Sequence, residues 1–103
     1  MQAIAIKITD SVDAGFPPMV AGVLVDAYGQ QHLFVEKHAV VTSTRITLSN
    51  LPTEGFIGCQ VESEWIDAEG RSLIQATTTK PWGVESTAGT ATFVVLASQL
   101  RAA

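Results

Sequence analysis

The stretch Ile57-Gly58-Cys59-Gln60-Val61-Glu62-Ser63-Glu64-Trp65-Ile66, followed by Asp67-Ala68-Glu69-Gly70 and, after Arg71, by Ser72-Leu73-Ile74-Gln75-Ala76-Thr77-Thr78-Thr79, decides the fold. Ile57, Cys59, Val61, Ser63 and Trp65 alternate with Gly58, Gln60, Glu62 and Glu64, the period of two that sets one row on a core and the other toward water. The residues between the two runs carry turn chemistry. Aspartate opens a type I turn because its carboxylate accepts nearby backbone N–H groups, and Gly70 can take the positive φ that closes such a turn as a G1 bulge. The stretch reads as a long β-hairpin.

An echo of it lies upstream. Gly15-Phe16 leads through an apolar run to Val25-Asp26-Ala27-Tyr28-Gly29, as Gly55-Phe56 leads to Ile66-Asp67-Ala68-Glu69-Gly70, the second copy being one residue longer. Equal turns select equal residues, which accounts for the echo without a duplication.

Working outward, Ala3 to Thr9 alternates Ile4, Ile6 and Ile8 with Ala5, Lys7 and Thr9 and reads as a strand. Asp10 to Pro18 is rich in turn and breaker residues and reads as a loop. Met19 to Val25 is almost wholly apolar, which predicts burial on both faces or a central place in a sheet. Gln31 to Lys37 is its hairpin partner. Val40 to Thr42 and Thr44 to Leu48 are short β-branched runs ended by Ser49 to Gly55. Downstream, Lys80 to Gly89 reads as an irregular connection and Thr90 to Leu96 as the last strand, with Ser98 to Ala103 finishing as a helical turn or fraying. The sum is an all-β fold of about seven strands built from β-hairpins. It predicts an antiparallel sandwich or a small, partly closed barrel, in one domain over 1–103.

Composition supports folding. With 103 residues, 47% hydrophobic and 16% charged, the chain is too apolar for intrinsic disorder and long enough for one core. Cys59 is the single cysteine, so an intrachain disulfide is excluded and a reducing, cytoplasmic setting fits best. The N-terminal residues do not read as a signal peptide, and the apolar runs are too short to span a bilayer. Net charge is −4, and Lys7, Lys37, Arg45, Arg71, Lys80 and Arg101 are dispersed. That argues against a nucleic-acid partner, which demands clustered cations.

Chemistry is sparse in the sequence. No phosphate-cradling glycine motif occurs, and Cys59, His32 and His38 match no zinc spacing, so neither a metal nor a cofactor is expected. Asp26 and Asp67 read as turn residues rather than calcium ligands. A Cys59 thiolate activated by His32 or His38 is disfavoured because Cys59 shares the inward row with Val61 and Trp65. His32 reads as a hydrogen-bonded strand residue and His38 as a surface loop residue. Glu62 and Glu64 stand two apart, within reach of an acid/base pair, yet two glutamates on an outward strand face read as a solvated row. No catalytic residue is expected.

Lys80-Pro81-Trp82-Gly83-Val84-Glu85-Ser86-Thr87 stands out. An indole in a loop either folds back as a plug over the core or contacts a partner, with Lys80 and Glu85 as a polar rim. Tyr28 at a turn tip poses the same choice. The expectation is therefore a non-enzymatic interaction module whose partner is another protein, for example an inhibitor or immunity-type protein, contacting it through Lys80, Trp82, Glu85 and Tyr28. The alternatives are an assembly subunit of a phage or secretion particle and a small carbohydrate-binding domain stacking sugars on Trp82, Trp65 and Tyr28.

Overall fold

The computed structural model describes residues 2–13, 18–41 and 51–102. Among them are seven strands: β1 (Gln2–Asp13), β2 (Met19–Val25), β3 (Gln31–Lys37), β4 (Thr53–Ile66), β5 (Ser72–Thr77), β6 (Thr92–Leu96) and β7 (Leu100–Ala102). A helical turn, α1 (His38–Val41), precedes β4, and a 3-10 turn over Ala97–Gln99 joins β6 to β7. Every pairing is antiparallel, in the order β3-β2-β1-β4-β5-β6, with β7 added to β1. The sheet is a curled half-barrel, as the all-β, hairpin-built expectation required.

Curling follows from how β1 is shared. Gln2 to Ile4 lie between β4 (Cys59–Ile57) and β7 (Ala102–Leu100), whereas Lys7 to Asp13 lie beside β2. The chain thus leaves β5's neighbour β6, turns, and returns to β1, bringing the two ends of the sheet toward each other. Inside the curl, Ile4, Ile6 and Ile8 of β1 meet Val20 and Leu24 of β2, Phe34 of β3, Ile57 and Cys59 of β4, and Phe93 and Val95 of β6. Burying these side chains stabilises the fold by about 1.5–3 kcal/mol each before chain entropy opposes it.

Several boundaries differ from the sequence reading. Asp10 to Asp13, expected in a loop, extend β1, because register shifts between Ile8 and Asp10 and between Ser11 and Asp13 let the ladder absorb these residues. Ala14 to Pro17 and Thr42 to Asn50 lie outside the described residues, and with them Gly15-Phe16 and the run Thr44 to Leu48. Val40 and Val41 belong to α1 rather than a strand. There His38 is half-buried and its N–H donates to Pro18 O at 2.9 Å, so it continues the β2–β3 ladder into the turn rather than sitting in a surface loop. β2 sits inside the sheet, but only Val20, Gly22 and Leu24 are buried and Val25 is exposed, so its apolar run covers one face fully and the other in part. The strand expected over Thr90 to Leu96 is β6 and opens at Thr92. Beyond it the chain neither fades nor ends in a helix, because Leu100 to Ala102 find the free edge of Ile4 to Gln2.

The hairpin that decides the fold is present, with one correction. A register shift between Val61 and Ser63 places Glu62 in a bulge, after which β4 pairs as Glu64 with Ile74 and Trp65 with Leu73. One inserted residue reverses the facing of all that follow. Cys59 stays in the core, whereas Trp65 is 36% exposed and Ser63 is exposed too. Nor do Glu62 and Glu64 form a plain outward row, since Glu62 is itself the bulged residue.

Both Asp-Ala-x-Gly turns close alike. Asp26 Oδ1 accepts the Tyr28 and Gln30 N–H groups at 2.9 and 3.0 Å, and Asp67 Oδ1 accepts those of Glu69 and Arg71, each at 2.9 Å. Gly29 and Gly70 sit at φ of +80° and +79°, where a Cβ is penalised. The turns also adjoin: Arg71 Nη1 donates to Ala27 O at 3.1 Å, and Ala27 N–H donates to Val94 O at 2.9 Å.

Candidate functional site

The segment between β5 and β6 is irregular in outline and tightly bonded within. Thr78, fully buried, donates its hydroxyl to Val84 O at 2.6 Å, while its N–H donates to Ala91 O at 2.7 Å. Gly83 N–H reaches Thr79 O, Val84 N–H reaches Thr78 O, and Ser86 N–H reaches Thr90 O, at 2.8, 3.0 and 2.8 Å. Val84 is buried in the common core, and Thr87 N–H donates to Leu33 O of β3 at 2.8 Å. The loop is therefore anchored at its base, across its middle and to a distant strand.

Trp82 rides on this frame with 61% of its surface exposed. Its support is Gly58, the glycine of the outward row of β4: a Cβ there would stand 2.9 Å from Trp82 Cδ1, 3.0 Å from Nε1 and 3.1 Å from Pro81 Cδ. The indole lies on the outer surface of the sheet against a position that only glycine leaves flat. It does not plug the core. Lys80 and Glu85 are exposed on the same loop.

Tyr28, also 61% exposed, is elsewhere. It belongs to the turn bridged by Arg71, whereas Trp82 rests on Gly58. The eight steps from Gly58 to Ile66 span roughly 26 Å of strand, so Tyr28 and Trp65 sit toward one end and Trp82 toward the other. Of the four residues expected at a partner surface, the fold brings together Lys80, Trp82 and Glu85 and leaves Tyr28 apart. A sugar platform shared by Trp82, Trp65 and Tyr28 is not assembled.

Several titratable groups are buried or bonded within the fold. Cys59 is buried, and desolvation pushes its thiol up, away from a thiolate. His32 Nε2 donates to Asp26 Oδ2 at 2.8 Å, and its ring stands edge-on to Phe93 at a centroid distance of 4.9 Å. Burial alone would raise the Asp26 carboxyl; the bonds from His32, Gln30 and Tyr28 outweigh that and hold it below the ordinary carboxylate value. Asp67 is lowered first by the Arg71 N–H, then by the Arg71 side chain. Burial raises Glu36. Among the described residues no three His, Cys, Asp or Glu side chains converge as metal ligands, and no helix is long and apolar enough to cross a membrane.

In comparisons with known proteins, no family model, no curated protein and no solved structure matches this chain. The residues that hold the loop, Thr78, Val84 and Gly58, were not singled out by the sequence reading. The available signal was Gly58 itself, a glycine inside an otherwise regular strand, which marks close approach of another group.

Proposed function

We propose that this chain is a non-enzymatic module that binds another protein through the exposed side of the Trp82 loop, with Lys80 and Glu85 at its rim. One observation carries the reading: a large indole is held outward on a rigid, multiply hydrogen-bonded frame. Indole area kept in water is costly, and an anchored loop spares the ordering entropy that weakens binding by mobile segments. Tryptophan with a polar surround is the composition of an interface hot spot. The lone buried thiol suits a reducing cytoplasm.

Trp82→Ala tests this. Little more than a third of the indole is buried, so the loss of stability is about 2 kcal/mol as an upper value, against about 3–5 for a core tryptophan. The variant is expected to stay folded and to lose the protein that the wild type captures from its source cytoplasm. Capture of the same partner by folded Trp82→Ala refutes the loop as the binding surface.

A further inference from the structure

Sheets leave backbone N–H and C=O groups unpaired along their outermost strands. Single bonds touch two such edges here, and a strand covers part of a third. At β3 the Thr87 N–H meets Leu33 O, at β6 the Ala27 N–H meets Val94 O, and β7 occupies the N-terminal edge of β1. Apart from β5, the distal half of β4 bonds to no other segment among the described residues. β1 accompanies β4 only as far as the Gln2–Cys59 pair, so among the described residues Gln60 to Ile66 are paired on the β5 side alone. Asp67 N–H bonds Arg71 O, and ladder alternation from that pair turns the N–H and C=O of Ile66 and Glu64 to the open side. Glu62 to Ile66 are all exposed, and Ile66 is 64% so. Beside them runs an open groove of about 350 Å³, lined by Glu64, Trp65, Ile66, Leu73, Ile74 and Ala97.

We propose that this edge accepts an extended peptide segment as an added antiparallel strand, one whose aliphatic first half is followed by lysine or arginine. Main-chain bonds to Glu64 and Ile66 supply the pairing, Trp65 and Ile66 offer apolar contact to the aliphatic half on the two faces, and Glu62 and Glu64, also on opposite faces, select the charge of the basic half. Glu62 is touched by the neutral Gln75 Nε2 at 3.1 Å, and among the described residues Glu64 is in no ion pair. A second copy paired about Ser63 or Glu64 sets glutamate against glutamate of its mate, which disfavours those registers. The site is separate from the Trp82 loop and does not depend on it.

The experiment titrates ¹⁵N-labelled full chain with three synthetic ten-residue peptides: five Val followed by five Lys, five Val followed by five Glu, and the Val/Lys peptide with its backbone N-methylated throughout. Expected is binding of the first alone, with amide exchange at Glu64 and Ile66 slowed and affinity falling as salt rises. Glu64→Lys, an exposed change whose folding the amide spectrum verifies, weakens that peptide roughly tenfold, and Trp82→Ala leaves it unchanged. Equal binding of the N-methylated peptide shows attraction by charge alone and overturns strand addition. So do chemical shifts centred away from β4, absence of binding up to about 1 mM, or peptide-free dimerisation that protects the same two amides.

Discussion

Replacing Thr78 by valine removes one hydroxyl and keeps the side chain's volume, at a fully buried site. The hydroxyl that is lost donates to Val84 O at 2.6 Å and also reaches Ala91 O at 3.2 Å, which keeps the Thr78 N–H at 2.7 Å. The cost is therefore that of one carbonyl left short of its side-chain donor in an apolar setting, about 1–3 kcal/mol. Thr78→Ser keeps the hydroxyl and loses one methyl, about 1 kcal/mol with its small cavity, and Thr78→Ala loses both, about 2–4 kcal/mol. Urea melts at constant slope give the three values, and each kcal/mol should appear as roughly 4–8 °C in a thermal melt. Amide exchange at Gly83 and Val84 should quicken in Thr78→Val before the strands open, because this bond ties the Trp82 loop to β5. If Thr78→Val matches wild type while Thr78→Ser is the less stable, packing rather than the hydroxyl holds the loop, and the rigid-frame argument fails.

Other expected outcomes concern the core, the turns and acid stability. Cys59 should react slowly with a thiol reagent in native protein and completely in denaturant, and Cys59→Ser should cost about 1–3 kcal/mol; fast native labelling contradicts its burial. Gly70→Val should destabilise more than Glu69→Val in a denaturant melt, because only Gly70 holds a positive φ and neither meets a crowded surface. Asp26 and Asp67 have lowered carboxyl pKa values, so their contribution is complete above the unfolded value of about 4 and is lost as pH falls through the folded ones. Glu36, raised by burial, acts with opposite sign, disfavouring the fold as pH rises through its shifted value. Asp26→Asn and Asp67→Asn should each flatten the acid limb of a stability-against-pH curve; an unchanged limb shows that the turn bonds are not charge-dependent. Gly58→Ala should push the Trp82 indole off the sheet and raise its accessibility to a fluorescence quencher, most simply read with Trp65 replaced by phenylalanine.

Much of the fold was legible because its signals are local. Alternation along Ile4 to Ile8 and the Asp26 and Asp67 turns each depend on residues a few positions apart, so β2 and β3 emerge with their observed bounds and the β4–β5 hairpin with its turn, although β4 begins at Thr53 inside the segment read as a turn before Ile57. The misses share a cause. The bulge at Glu62 depends on how β4 must bend around β5, and β7 exists only because Gln2 to Ile4 have an unfilled edge, facts absent from the pattern of either segment. The helical turn at Val40-Val41 shows tertiary context overriding β-branched propensity.

For the candidate site the division is similar. A tryptophan between proline and glycine marks Lys80 to Thr87 from sequence alone, because an indole in a turn-rich segment must find either a core or a partner. Which of these it finds is a matter of distance in space: Thr78, Val84 and Leu33, up to 51 positions apart, converge to hold the loop, and Gly58 supplies the flat seat that keeps the indole outside. By itself the sequence determined the class of fold, the turns and the buried thiol, all consequences of short-range periodicity and side-chain chemistry. Only the tertiary structure decided that Trp82 faces outward, that Tyr28 sits away from it, and that the far half of β4 is left without a neighbour, because each depends on which strands run out first.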